Sequence, residues 1–126
     1  MQEERSTVAT LGELERAVMD VIWDHGDSVT AYDVKDVLDG SRDRPPAVTT
    51  LLTVLSRLAR KGLVESDRSA RPHRYRAVAS REDYIAELMH EVLGVSQDRN
   101  AVLARFVGGV SKDEAAALRS LLTGRG

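Results

Sequence analysis

Threonine and arginine side chains gather on one side of the stretch Ala47 to Val64. At about 100° per residue, Thr49, Thr50, Thr53, Arg57 and Arg60 point one way. A threonine offers a hydroxyl and a methyl, and the methyl suits the C5 position of thymine. The Arg57 guanidinium matches guanine O6 and N7, or a phosphate. On the other side Val48, Leu52, Leu55 and Ala59 form an apolar stripe flanked by Leu51 and Leu58, with no apolar residue left outward. Helix propensity disfavours three outward threonines, so they have no stability rationale. One face for a core and one for base edges and phosphates is the pattern of a helix that reads DNA.

Other elements must hold that helix in place. Pro45 and Pro46 stand where it begins and Gly62 where a left-handed glycine would end it. Upstream, Thr10-Leu-Gly-Glu13 has the form of a capping box, and Leu11, Leu14, Val18, Val21 and Ile22 repeat at helical spacing to about His25. Met19 and Trp23 on the other flank put this helix between two layers, as packing residues. After the break at Gly26-Asp-Ser, Thr30 caps a second helix, Ala31 to about Leu38, with Val34, Val37 and Leu38 inward. Beyond Gly62 the period becomes alternating. Leu63 and Val64 start a strand, Arg68 to Pro72 make a turn, and His73, Tyr75 and Ala77 alternate with Arg74, Arg76 and Val78. Two helices, a basic-faced helix and a basic hairpin are the order of a winged helix-turn-helix.

Three further amphipathic helices follow: one capped by Ser80-Arg-Glu-Asp83 and running to about Leu93, one over about Asp98 to Val107, and one capped by Ser111-Lys-Asp-Glu114. Tyr84, Leu88, Met89, Val92, Leu103, Phe106, Val107, Leu118, Leu121 and Leu122 are their candidate dimerisation residues. So short a set makes too small a core to stand alone, and a second copy of the chain is the simplest partner. A two-fold pair would set two reading helices roughly 34 Å apart, one turn of DNA. The expected fold class is mostly α with a small β-hairpin wing, organised as a winged-helix DNA-binding domain over residues 1–79 and a helical dimerisation domain over residues 80–126.

The net charge of −2 over 126 residues hides a segregation. Met1 to Gly40 carries three basic against ten acidic residues, whereas Arg57 to Arg76 carries seven basic against Glu65 and Asp67. One face is suited to phosphates. The absence of cysteine removes disulfides, thiolate metal sites and thiol nucleophiles. His25, His73 and His90 lie on different elements with no second ligand at helical spacing, so no metal is expected. No nucleophile elbow or glycine-rich phosphate loop occurs, so the reading is of no enzyme, no catalytic residue and no cofactor. With no apolar run at the N-terminus or of membrane length, a cytoplasmic protein without a membrane partner is expected.

Leu14 to Asp20 with Trp23, Ala47 to Leu58, Lys61-Gly62 and His73-Arg-Tyr75 resemble the BlaI/MecI/CopY penicillinase repressors, over essentially Leu11 to Leu122. The resemblance implies a dimeric repressor on double-stranded operators built around TACA and TGTA, with C-terminal helices interlocked between copies. It carries DNA base reading onto Thr49, Thr50, Thr53 and Arg57; Arg60, Lys61, Arg68, Arg71 and Arg74 are the expected backbone contacts. Release through a sensor protease or other partner signalling an antibiotic or envelope stress is also implied. The bond cleaved in antibiotic-responsive members, Asn-Phe, corresponds here to Arg105-Phe106, and the wing has Ala70-Arg71 where the family often has Gly-Arg. Copper sensing through a cysteine box is excluded. Two other readings are a repressor released by a small-molecule inducer bound near Trp23, and a winged helix that docks on protein instead of DNA.

Overall fold

The computed structural model describes residues 11–124. Its order is α1 (Glu13–His25), α2 (Ala31–Ser41), α3 (Val48–Arg60), β1 (Val64–Asp67), β2 (Arg74–Ala77), α4 (Arg81–Gly94), α5 (Arg99–Gly108) and α6 (Lys112–Leu122). It is mostly helical, with a two-stranded wing between α3 and α4. By its contacts the chain divides into one unit up to Leu88 and another from Met89.

Helix α1 begins at Glu13 with Gly12 as its N-cap, and the Glu15 carboxylate accepts the Gly12 N–H at 3.0 Å. The capping box expected at Thr10 is not the one that starts the helix, and Thr10 itself lies outside the described residues. Val18, Met19, Val21 and Ile22 are buried, and Gly26 at φ +80° ends the helix. At α2 the expected cap is present: Asp33 N donates to Thr30 Oγ1 at 3.1 Å and Thr30 N to Asp33 Oδ2 at 2.9 Å. Ala31, Val34 and Leu38 face the core. Val37, expected inward, is 52% exposed. It sits at the edge of that stripe, on an open cleft with Ala17, Val21 and Leu38.

The prolines precede α3, whose N-cap is Ala47. Its buried stripe is Leu51, Val54, Leu55 and Leu58, rotated by roughly one 100° residue step from the stripe expected through Leu52. Leu52 is 40% exposed and stands on the outward side. The expectation that no outward position is apolar therefore fails, because α3 packs against both α1 and α2 and the centre of its core face follows that pair. Burying Leu51, Leu55 and Leu58 contributes roughly 1.5–3 kcal/mol each. A Schellman motif stops the helix: Gly62 at φ +82° donates to Ala59 O and Leu63 N to Leu58 O, both at 3.0 Å.

Strands β1 and β2 pair antiparallel, with Val64 opposite Ala77 and Asp67 opposite Arg74. The loop between α1 and α2 joins them, since Val29 and Tyr75 exchange backbone hydrogen bonds of 2.8 and 2.7 Å. Val29, Val64 and Tyr75 are buried with the helices in one core.

The start of α4 belongs with the first unit. Asp83 N donates to Ser80 Oγ at 3.0 Å, as the expected cap requires. The Trp23 indole N–H donates to Ala79 O at 3.0 Å, and Tyr84 lies 5.6 Å from the Trp23 ring. Arg81 stacks over that ring at 5.3 Å while reaching Asp24 at 2.8 Å and Asp20 at 3.3 Å. Tyr84, expected at a dimer contact, is thus buried inside its own chain, and burial pushes its phenol pKa up. In the second unit the expected caps of α5 and α6 are in place at Asp98 and Ser111. Neither helix buries a residue.

Candidate nucleic-acid interface

Two cross-links hold α3 at its ends. At the start, Lys35 of α2 donates to Pro46 O at 3.0 Å while pairing with Asp39 at 2.8 Å. At the end, Lys61 Nζ lies 2.9 Å from both oxygens of the buried Glu15 on α1. Burial alone would raise the Glu15 pKa. The Gly12 N–H, the Lys61 ammonium and the field of Arg57 outweigh it and hold the carboxylate below its ordinary value. Glu15 is thus a charged strut between two helices.

On the outward face, Thr49, Thr50, Thr53, Arg57 and Arg60 are all exposed, as the spacing predicts. Thr53 Oγ1 donates to Thr49 O at 3.2 Å, which uses its only hydrogen and leaves its lone pairs and methyl for a partner. Arg57 and Arg60 make no ion pair among the described residues. No acidic residue occupies the first turn of α3. Two members of this face were not selected from the sequence: Ser56, exposed at i+3 from Thr53, and Leu52, at i+3 from Thr49. The signal for both was the true core stripe, which places Thr49, Ser56 and Arg60 near the centre of the opposite face.

The five expected backbone-contact residues divide. Arg68 and Arg71 stand exposed at the wing tip. There Asp67 accepts from Ser69 N at 3.0 Å and from Ser69 Oγ at 2.6 Å, and Arg71 Nη1 donates to the carbonyls of Arg68 and Ala70. The Ser69 hydroxyl and N–H hold the Asp67 carboxyl below its usual range. Arg60 shares the α3 face. Lys61 and Arg74 are engaged within the fold instead: Lys61 with Glu15, and Arg74 with Ser28, its Nε 2.7 Å from Ser28 Oγ and its Nη2 2.7 Å from Ser28 O. Arg76 pairs with Glu65 across the hairpin at 2.8 Å. Presented cations are therefore Arg57 and Arg60 on α3 and Arg68 and Arg71 on the wing.

Among the described residues no group of acidic, histidine or cysteine side chains is arranged to hold a metal ion, and no helix is long and apolar enough to cross a membrane.

Comparison with known proteins agrees with this architecture. Two solved structures, the complexes of hsRosR-S4 and hsRosR-S1, share the fold with TM-scores of 0.54 and 0.52 at 21% and 20% identity, covering 90% and 86% of this chain and 97% and 95% of theirs. The transcriptional regulator BlaI of Mycobacterium tuberculosis, in strains CDC 1551 / Oshkosh and ATCC 25618 / H37Rv, is 45% identical over 115 residues, covering 89% of this chain and 82% of the relative. The family described as Penicillinase repressor matches residues 11–124. The chain belongs to that family of transcriptional regulators, which is not a family of enzymes.

Proposed function

We propose that the protein represses transcription as a homodimer on a double-stranded operator of the TACA/TGTA inverted-repeat type. Helix α3 reads the major groove and the wing tip lies on the neighbouring backbone. The observation that carries this reading is the outward face of α3. Three threonines stand there with two arginines that have no ion pair among the described residues, on a helix braced at both ends. Thr49, Thr50, Thr53 and Arg57 contact bases, Thr53 as an acceptor or through its methyl because its hydrogen is committed. Arg60, Arg68 and Arg71 hold phosphates, and Lys61 and Arg74 act by fixing α3 and the wing.

Dimerisation rests on the second unit. Met89, Val92, Leu103, Phe106, Val107, Leu121 and Leu122 are 44–84% exposed, and α5 and α6 line a cleft of about 560 Å³ with Phe106, Leu118 and Leu121 on its walls. That much uncovered apolar surface on short helices calls for a partner, and a second copy supplies the same surface in return.

The inducer reading near Trp23 is weakened because Arg81, Tyr84 and the Ala79 carbonyl occupy the surroundings of that ring. Release by proteolysis at Arg105-Phe106 would require α5 to unwind first, since that bond lies inside the helix.

The test is a set of alanine substitutions read on operator and scrambled duplexes. Arg57→Ala costs about 1–3 kcal/mol on the operator only, whereas Arg68→Ala weakens both duplexes alike and lowers the salt slope by about 1. Equal behaviour of the two variants would refute the division between base reading and backbone contact.

A further inference from the structure

The structure assigns Leu52 to the reading surface. Its place there rests on the proposal that α3 enters the major groove, and it adds a wholly apolar contact beside those that the threonine methyls offer. Leu52 is 40% exposed although α3 completes its buried stripe with Leu51, Val54, Leu55 and Leu58. It lies three residues after Thr49 and four before Ser56, both exposed, so the three side chains share one helix face. On the helical wheel, Leu52 and Arg57 stand on opposite flanks of the line through Thr49, Ser56 and Arg60. A helix seated in the groove by that line brings Leu52 to base edges on one flank and the Arg57 guanidinium to those on the other.

An isobutyl group has neither donor nor acceptor. A base edge that needs a hydrogen bond would lose its water to Leu52 and gain nothing, a cost paid at guanine, adenine and cytosine alike. The one apolar group that the major groove presents is the C5 methyl of thymine. Leu52 therefore selects thymine, by favourable contact with that methyl and by leaving other base edges unsatisfied. Its position in the first turns of α3 suits this, because the N-terminal residues of a recognition helix are those that reach base edges.

Deoxyuridine is thymidine without the methyl, so it isolates the contact without altering base pairing. The duplex that the wild-type protein enriches from a randomised pool is resynthesised with each thymine replaced in turn by deoxyuridine, and binding is followed by fluorescence anisotropy for wild type and Leu52→Ala. The expected result is a thymine in each half-site, beside any that the threonine methyls read, at which deoxyuridine weakens wild type roughly three- to fivefold, the equivalent of one buried methyl group. Substitution in both half-sites gives roughly ten- to twenty-fivefold, and Leu52→Ala responds much less at the same position. A helical circular dichroism spectrum and unchanged melting of Leu52→Ala exclude misfolding as the cause. If wild type and Leu52→Ala respond identically at every thymine, or no thymine matters, Leu52 does not read the methyl even though the protein binds DNA. If no sequence is enriched, the α3 reading fails together with this one.

Discussion

The two units of this chain use similar helices to opposite ends. In the first, α1, α2 and α3 bring Val18, Met19, Ile22, Val34, Leu51, Leu55 and Leu58 to 4% exposure or less, and Val29, Val64 and Tyr75 close the core from the loop and hairpin. In the second, α5 is capped by Asp98 and α6 by a full capping box at Ser111, yet they leave Leu103, Phe106, Val107, Leu121 and Leu122 open. Capping and amphipathicity thus specify a helix but not the thing it packs against. The first unit carries its own core, whereas α5 and α6 of the second bury no residue of theirs.

The largest effect that separates them is cavity formation. Leu55→Ala removes a fully buried side chain and should cost about 2–5 kcal/mol in urea denaturation. The same change at Leu121, 63% exposed, should leave the stability of a dissociated chain within about 0.5 kcal/mol. Next comes self-association. Phe106→Glu puts a charge into the apolar face and should weaken the dimer by about 2 kcal/mol or more, roughly thirtyfold in sedimentation equilibrium. Its winged helix should stay folded by circular dichroism. A Phe106→Glu chain that unfolds outright would mean that the second unit builds a core of its own.

Electrostatics gives a smaller effect with a distinctive sign. Glu15 is held below its ordinary pKa of 4.5, so its contribution is complete above about pH 4.5 and is lost as pH falls through the folded value. Asp33, lowered by the Thr30 N–H and hydroxyl, adds in the same direction. Lys61→Met leaves the buried Glu15 without its ammonium, at a cost of about 1–3 kcal/mol near neutral pH. With the Gly12 N–H and the Arg57 field left to oppose burial, the Glu15 pKa moves back up from its lowered value, so acidification should remove less stability from the variant than from wild type. Thermal melts from pH 7 to pH 4 read this directly. Smallest is Thr30→Ala, which deletes one half of the α2 cap and should cost about 1 kcal/mol, a few degrees in Tm.

Much of this was legible in the sequence because the cues were local. The α2 and α6 capping boxes, the Gly62 terminus and the switch from helical to alternating period each depend on neighbours a few residues away. What escaped depended on contacts between elements. The rotation of α3 that turns Leu52 outward follows from its packing on both α1 and α2, and a helical wheel drawn from α3 alone carries no such information. Val37 failed for the same reason. The intramolecular partners of Lys61 and Arg74 were hidden because Glu15 and Ser28 lie 46 residues from them along the chain. A cation already held by a partner looks identical in sequence to one offered to a phosphate. Tyr84 matched the spacing of a dimer contact, but Trp23, distant in sequence, claims it.

Operator recognition is tested most directly by fluorescence anisotropy of the whole protein on a labelled duplex carrying TACA and TGTA as an inverted repeat, beside a scrambled duplex, across a salt series. Tight, salt-sensitive binding to the first and at least roughly hundredfold weaker binding to the second is the expected result. Equal, weak binding to both duplexes would contradict it.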